Sequence, residues 1–217
     1  MRGNTASSNG GGGVLVAGSG TVSITRSTIT GNTTSGIGGG LASEGRSATV
    51  GSSVITGNRA VAGGGIGNAF GTTTLNSTQV QGNTASNYGG GITSAFGSLT
   101  ANGSTIRNNT VTGAGWGDFT GGGGIFNSNG AVMNLNSSFV SHNTADTSGV
   151  PTGGIKNYAT LNLTRTAVTG NSSGMAPGGI YRSNTPFSSV TLHSSVVLFN
   201  SPTNCSGSPA PVPGCFG

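Results

Sequence analysis

The sequence predicts an all-β fold, a right-handed parallel β-helix (a single-chain solenoid) of about seven coils. Three observations predict it: a unit that recurs every 25 to 34 residues and closes on asparagine, an apolar alternation phased to that asparagine, and a glycine block early in each unit. A period in this range is typical of stacked repeats rather than of a globular fold. The clearest unit runs from Asn83 to Asn109. The closing asparagines are Asn32, Asn58, Asn83, Asn109, Asn143, Asn171 and Asn200, and Asn4 ends an earlier copy.

The apolar residues of each unit fall in columns at fixed distances from the closing asparagine. Aliphatic residues dominate the positions eight and ten before it, and a small hydroxyl residue stands five before it. Alternation with a period of two predicts strands with one face inward. We therefore expect two strands here and a third after each glycine block, which makes three short strands per coil. The column three before the asparagine reads Ile29, Ile55, Val80, Ile106, Val140, Val168 and Val197.

The asparagine column is predicted to be structural and to bind no ligand. Asparagine tolerates the left-handed backbone region better than other non-glycine residues. Stacked asparagine amides can also bond to one another along a solenoid axis. The glycine blocks are predicted to supply positive φ at a turn and to let the backbones of adjacent coils approach.

The composition narrows the function classes. Glycine accounts for 44 of the 217 residues, but a disordered glycine-rich chain would not keep its aliphatic residues in phase with the glycines. The net charge is +5, yet the cations are spread along the chain and form no run with interleaved aromatics, so no nucleic-acid binding is expected. No apolar stretch is long enough for a membrane helix.

Residues 1–200 are predicted to form the repeats, and residues 201–217 form a tail or cap rich in proline and cysteine. A local disulfide between Cys205 and Cys215 is expected, which indicates an oxidising, extracellular compartment, with two free thiols as the alternative. Because Arg2-Gly3-Asn4 matches the end of a coil, the chain is expected to begin inside the solenoid, with an export signal upstream. An open first coil would favour edge-to-edge self-association.

The repeats resemble those of known bacterial β-helix proteins. The Gly-Gly-Gly-Ile blocks and Ile/Val-x-x-Asn motifs are similar to the short repeats of the chlamydial polymorphic outer-membrane proteins, with Ile or Val in place of Phe. The tail from Asn204-Cys205 to Gly214-Cys215 resembles the ending of many secreted actinobacterial β-helix proteins. The resemblance implies a bacterial secreted or cell-surface protein, with adhesins among its relatives. Pectate lyases and polygalacturonases use the same fold, and fold does not decide between these functions.

Catalytic chemistry has few candidate residues in this sequence. Its three acidic residues are Glu44, Asp118 and Asp146, in different coils, whereas a polysaccharide lyase or hydrolase needs converging carboxylates. His142 and His193 lie two coils apart and are expected to be solvated. We expect no catalytic residue, no cofactor and no metal. An insertion in the fifth coil carries Trp116, Asp118 and Phe119, which form either a binding loop or a cover over a hydrophobic corner.

The preferred function is therefore non-enzymatic: a secreted or cell-surface solenoid for adhesion or for a structural or interaction role, with an unknown surface ligand or polysaccharide as partner. The alternative is a carbohydrate-binding or carbohydrate-active protein of the lyase or hydrolase kind. A third reading is ice binding, because the residues nine and seven before each asparagine form an outward face rich in threonine and asparagine. Thr74 with Asn76 and Thr100 with Asn102 are examples.

Overall fold

The computed structural model describes residues 1–7, 10–18, 20–113, 120–145 and 152–217, and they form a parallel β-solenoid of about seven turns. Four sheets of seven strands run along it, and every described strand pairs in parallel with the equivalent strands of the neighbouring coils. Across these ranges we find no helix that is both long and apolar enough to cross a bilayer. The all-β solenoid predicted from the repeat is confirmed.

Two of the sheets are named here by their place in the repeat. The Gly sheet follows the glycine blocks and contains β2 (Val14–Val16), β6 (Leu41–Glu44), β10 (Ile66–Ala69), β14 (Ile92–Ala95), β18 (Ile125–Ser128), β22 (Ile155–Asn157) and β26 (Ile180–Arg182). The long sheet has five-residue strands and contains β3 (Thr21–Thr25), β7 (Ser47–Gly51), β11 (Thr72–Asn76), β15 (Ser98–Asn102), β19 (Val132–Asn136), β23 (Thr160–Thr164) and β27 (Ser189–His193).

The other two sheets flank the asparagine column. The pre-Asn sheet contains β4 (Thr28–Thr30), β8 (Val54–Thr56), β12 (Gln79–Gln81), β16 (Thr105–Arg107), β20 (Phe139–Ser141), β24 (Ala167–Thr169) and β28 (Val196–Leu198). The post-Asn sheet contains β1 (Thr5–Ala6), β5 (Thr33–Thr34), β9 (Arg59–Ala62), β13 (Thr84–Tyr88), β17 (Thr110–Val111), β21 (Thr144–Ala145) and β25 (Ser172–Ser173).

The coil therefore has four strands, and the prediction of three was wrong. The missed strand lies directly after each asparagine and is only two residues long in most coils, as in Thr110–Val111. Two residues are too few to show an alternation of apolar and polar side chains. The inward residue of this strand is small, for example Ala85. Ala85, Val111 and Ala145 come from successive coils and form a minor cluster separate from the main core.

The core is one continuous column of aliphatic side chains. Val80 pairs in register with Ile55 on one side and Ile106 on the other, and all three are fully buried. The predicted columns at eight and ten residues before the asparagine also point inward, for example Leu75 and Leu99. Each fully buried aliphatic side chain contributes about 1.5–3 kcal/mol. Because one coil cannot bury its own apolar face, this stabilisation exists only in the stack.

The left-handed residue at the asparagine corner precedes the asparagine. Positive φ occurs at Gly82 (61°), Asn108 (53°) and His142 (54°), while no closing asparagine has it. The prediction that the column favours asparagine for its left-handed backbone was therefore wrong. What selects asparagine is the hydrogen bonding of its side chain, described below.

The glycine blocks divide the two predicted roles between their members. The first glycine has positive φ, as at Gly63 (61°). The next two allow close approach: a Cβ on Gly64 would lie 2.5 Å from the carbonyl oxygens of Gly90 and Thr84. A side chain at the second position would therefore collide with the backbone of the next coil, so both predicted roles of the glycines are confirmed.

The tail packs across the last coil. Ile180 donates its N–H to the carbonyl oxygen of Asn204 at 2.9 Å, and Ala210 donates to that of Arg182 at 3.2 Å. Cys205 and Val212 are buried against the end of the aliphatic column. Cys205 and Cys215 form the expected disulfide, which excludes the free-thiol alternative.

Candidate functional site

The asparagine side chains form an internal ladder in which every rung repeats the same hydrogen bonds. Asn58 donates both its main-chain N–H and its Nδ2 to Oδ1 of Asn83 at 3.0 Å. Nδ2 of Asn83 in turn donates to Oδ1 of Asn109 and to the carbonyl oxygen of Ile55, each at 3.0 Å. The Asn83 amide is fully buried and has a partner for each of its polar atoms. The predicted ladder is present.

The ladder extends one rung beyond the repeats at each end. Asn4 donates its N–H and its Nδ2 to Oδ1 of Asn32, at 3.0 and 2.8 Å. Asn200 donates in the same way to Asn204, which lies in the tail beside Cys205. Asn204 was not identified from the sequence because it follows the preceding rung by four residues instead of a full repeat.

Two further polar files support the corners. The first was visible in the sequence as a column of small hydroxyl residues, but its role was not predicted, and the second was not identified. The hydroxyl residues five before each asparagine accept a main-chain N–H from the preceding coil, as Ser104 Oγ does from Thr78 at 3.1 Å. A second internal file lies two residues after the first aliphatic residue of each Gly-sheet strand. Its members are Ser43, Asn68, Ser94, Asn127 and Asn157, all fully buried or nearly so. The sequence could have revealed this second file, because successive repeats carry a polar residue at that position.

The residues considered for chemistry do not converge within the part of the chain that the structure describes. Trp116, Phe119 and the acidic residues Asp118 and Asp146 lie outside the described residues, so neither the predicted loop nor a carboxylate pair is tested. Glu44 ends β6 at the corner of the Gly sheet. The exposed side chains of the two histidines lie apart, one on the corner before Asn143 and one in β27. Among described residues, no cluster of His, Cys, Asp and Glu could hold a metal ion.

The long sheet presents a flat outer face that is polar and nearly uncharged, here called the long face. None of its side chains is buried, and the predicted outward positions lie on it. Its three files are Thr21, Ser47, Thr72, Ser98, Val132, Thr160 and Ser189; then Ser23, Thr49, Thr74, Thr100, Asn134, Asn162 and Thr191; then Thr25, Gly51, Asn76, Asn102, Asn136, Thr164 and His193.

Hydrogen bonds along the solenoid axis hold the amides of the long face in rows. Asn136 donates Nδ2 to Oδ1 of Asn102 at 3.0 Å, and Asn102 donates to Oδ1 of Asn76 at 2.9 Å. Asn162 donates to Asn134 at 3.0 Å in the adjacent file. The donors Asn102, Asn136 and Asn162 each use one N–H within the row, so their second N–H is left for a partner outside the protein. Asn76 and Asn134 only accept within the rows. These groups repeat at the coil spacing of about 4.8 Å.

The outer face of the Gly sheet contains a cavity of about 200 Å³, here called the ring pocket. Its walls include the methyl groups of Ala69 and Ala95 and the larger side chains of Ile37 and Phe126. The rings of Tyr88 and Phe126 contact each other with centroids 4.8 Å apart and planes tilted by 37°. The remaining lining residues are Asn68, Thr93, Ser128 and Asn129.

Several polar groups in the ring pocket have no protein partner. Thr93 is 6% exposed and Ser128 is 4% exposed, and neither hydroxyl forms a hydrogen bond with any described residue. The same holds for the Tyr88 hydroxyl and the Asn129 amide. No described residue that lines the pocket carries a charge. The arrangement suits a small neutral ligand that has hydrogen-bonding groups and an apolar face.

Beyond the pocket, aromatic rings continue along the Gly sheet toward the carboxyl end. Phe126 contacts Tyr158, and Tyr158 contacts Tyr181, with centroids 5.8 and 5.7 Å apart. Nζ of the fully buried Lys156 lies 5.0 Å from the Tyr181 ring centroid and donates to the carbonyl oxygen of Thr120 at 2.7 Å. The ring pocket is therefore one end of a row of aromatic contacts. None of these rings lies in one of the columns used to predict the fold, so the sequence alone did not reveal the pocket.

No family model, no curated protein and no solved structure matches this chain.

Proposed function

We propose that the protein is a non-enzymatic β-solenoid of the secreted or cell-surface kind that serves as an adhesion or interaction module, with the long face as its contact surface. The single observation that carries this proposal is the row of outward-facing amides from the half-buried Asn136 and Asn102 to the exposed Asn76. Their positions are fixed before a partner arrives, so binding would not have to order them.

The chemistry of the long face suits a neutral partner with repeated hydrogen-bonding groups. The face offers hydroxyl and amide groups and no carboxylate, lysine or arginine, so it fits the hydroxyl-rich surface of a polysaccharide better than a charged polymer. The disulfide between Cys205 and Cys215 supports an oxidising, extracellular location. The resemblance of the repeats and tail to bacterial polymorphic outer-membrane repeats and secreted actinobacterial β-helix proteins supports the same assignment.

Cosedimentation with insoluble polysaccharide tests this proposal. Purified chain is mixed with microcrystalline cellulose, chitin or yeast β-glucan, and the fraction bound is compared with that of the T74K/T100K double variant. The variant places two charges on the long face. Its matched control, Q79K/T105K, makes the same charge change in the same coils on the pre-Asn sheet. We expect binding to at least one polysaccharide that the first variant loses and the control keeps. Equal binding by both variants would contradict the assignment of the long face.

A second candidate function, ice binding, is favoured by one feature of the same face. Hydroxyl and amide groups repeat on it at the coil spacing of about 4.8 Å over a flat area without charged side chains. Such a periodic surface could order water at the boundary of an ice crystal. A thermal-hysteresis measurement decides this candidate: a freezing gap that T74K/T100K abolishes supports it, and the absence of both a gap and crystal shaping removes it.

A further inference from the structure

Two hydroxyl residues line the ring pocket and form no hydrogen bond with the described part of the protein. Thr93 and Ser128 are each more than nine-tenths buried and have no hydrogen-bond partner among the described residues. Most buried polar groups of the solenoid, such as the asparagine ladder, are satisfied by the protein itself. Among the described residues, the buried side-chain atoms without a partner are Oδ1 of Asn127 and Oγ1 of Thr152. The hydroxyls of Thr93 and Ser128 are not among these atoms, because they are accessible from the cavity and available to a ligand.

The walls of the pocket restrict what that ligand can be. Water would satisfy the hydroxyls, but it gains little from the rings of Tyr88 and Phe126 or from the methyl groups of Ala69 and Ala95. A ligand with an apolar face and hydrogen-bonding groups at its edge can pack on the rings and also bond to the hydroxyls. The volume of about 200 Å³ is below the roughly 300–1,000 Å³ of sites for drug-sized ligands. The ligand unit is therefore small.

We propose that the ring pocket binds one pyranose unit of a neutral glycan. A pyranose has a face of C–H groups that packs on an aromatic ring, and equatorial hydroxyls that both donate and accept hydrogen bonds. The C–H face would lie on the wall formed by Tyr88 and Phe126, with hydroxyls toward Thr93 and Ser128 on the inner side and toward Asn129 at the mouth. The absence of charge among the described lining residues selects a neutral sugar, which can be N-acetylated, over a uronate or a sugar with a free, charged amino group.

The pocket exists only in the assembled stack. Ile37, Tyr88 and Phe126 come from different coils, and each reaches the outer face of the Gly sheet from its own repeat. The strands that carry Thr93 and Ser128 are neighbours in register, β14 beside β18. The two hydroxyls are therefore held by the hydrogen bonds of the sheet. The site is separate from the long face, so this inference does not depend on the proposed function.

Calorimetric titration of the full chain with soluble neutral oligosaccharides tests the proposal. The probes are cellohexaose, chitohexaose and mannohexaose. Three variants address different walls: A95L fills the cavity, Y88F removes only a hydroxyl, and T93V replaces a hydroxyl with a methyl group. We expect A95L to abolish measurable binding, and Y88F and T93V each to weaken it by about two- to tenfold, the effect of one hydrogen bond.

Matched controls separate the site from general effects on folding. A167L makes the same change as A95L on the outer side of the pre-Asn sheet, and it should bind as the wild-type chain does. Thermal melting of each variant establishes that it folds. T74K/T100K should also keep its affinity for the oligosaccharide. A wrong assignment of the long face and a wrong assignment of the ring pocket therefore give different results. Absence of binding for all three probes, or wild-type affinity in folded A95L, would overturn the proposal.

Discussion

Asn200 donates its main-chain N–H and its side-chain amide to a single acceptor, Oδ1 of Asn204, at 3.1 Å in both cases. In the repeats that acceptor comes from the next coil. Here it comes from the tail, where the N–H of Asn204 donates to the carbonyl oxygen of Gly217 at 2.8 Å and its Nδ2 donates to that of Phe216 at 3.0 Å. The tail thus supplies the hydrogen-bond acceptor that an eighth coil would otherwise provide.

Replacing Asn204 by alanine should destabilise the protein although it lies outside the repeats. The change removes the acceptor of the main-chain N–H of Asn200, which is only 8% exposed. Nδ2 of Asn200 also loses this acceptor but keeps the carbonyl oxygens of Val168 and Leu198. We expect a loss of about 2 kcal/mol in the free energy of unfolding, since each unsatisfied buried group costs about 1–3 kcal/mol. The corresponding fall in the melting temperature is roughly 4–8 °C. Asn162→Ala on the long face is the control, and an equal fall in both variants would show that Asn204 has no special role.

Reducing the disulfide should also weaken the carboxyl-terminal end. Cys205 follows Asn204 directly, and Cys215 closes the loop ten residues later. A loop this short restricts the unfolded chain modestly, so we expect C205S/C215S to lose at most about 3 kcal/mol. Urea unfolding of the variant, compared with the oxidised chain, measures the loss as a lower midpoint. A midpoint unchanged by the double substitution would show that the disulfide contributes nothing to the stability of the last coil.

The glycines of the repeat offer a matched pair of substitutions. A Cβ on Gly64 would lie 2.5 Å from two backbone oxygens of the adjacent coil, whereas a Cβ on Gly51 would meet only a methyl group of Thr25 at 3.6 Å. Neither residue has positive φ. Gly64→Ala should therefore cost about 3 kcal/mol or more through overpacking. Gly51→Ala should be neutral or stabilising, because alanine reduces the entropy of the unfolded chain.

Circular dichroism melting of the two glycine variants measures this difference. Similar melting temperatures for Gly64→Ala and Gly51→Ala would mean that the coils do not approach each other as closely as the structure shows.

The periodic part of the fold was predictable because each coil repeats the same packing problem. Val80 and Ile106 occupy the same position in successive repeats, so their burial follows from phase alone. The asparagine ladder was predicted for the same reason, although its backbone explanation was wrong. Side-chain amides select asparagine at this corner, and the preceding residue, such as Gly82, absorbs the left-handed turn.

The ring pocket was not predictable from the columns, because it arises where the repeats differ. Thr93 and Ser128 stand at outward positions of the Gly sheet, where no inward packing constrains the residue type. The cavity depends on the combination of Ala69, Ala95 and Phe126, which come from three different coils. These three residues are 26 to 57 positions apart in the chain. A single repeat contains no trace of it. The missed rung Asn204 has a similar cause, since the tail reaches the ladder by a path unlike that of a coil.

The most direct test of the account is the melting temperature of Asn83→Ala compared with that of Asn76→Ala. The first variant removes a fully buried amide that joins three coils, and the second removes an exposed amide on the long face. We expect Asn83→Ala to lose about 3 kcal/mol and to melt roughly 6–12 °C lower. Asn76→Ala should stay within about 0.5 kcal/mol of the parent chain. An Asn83→Ala variant that melts with the wild-type chain would contradict the claim that the internal amides hold the coils together.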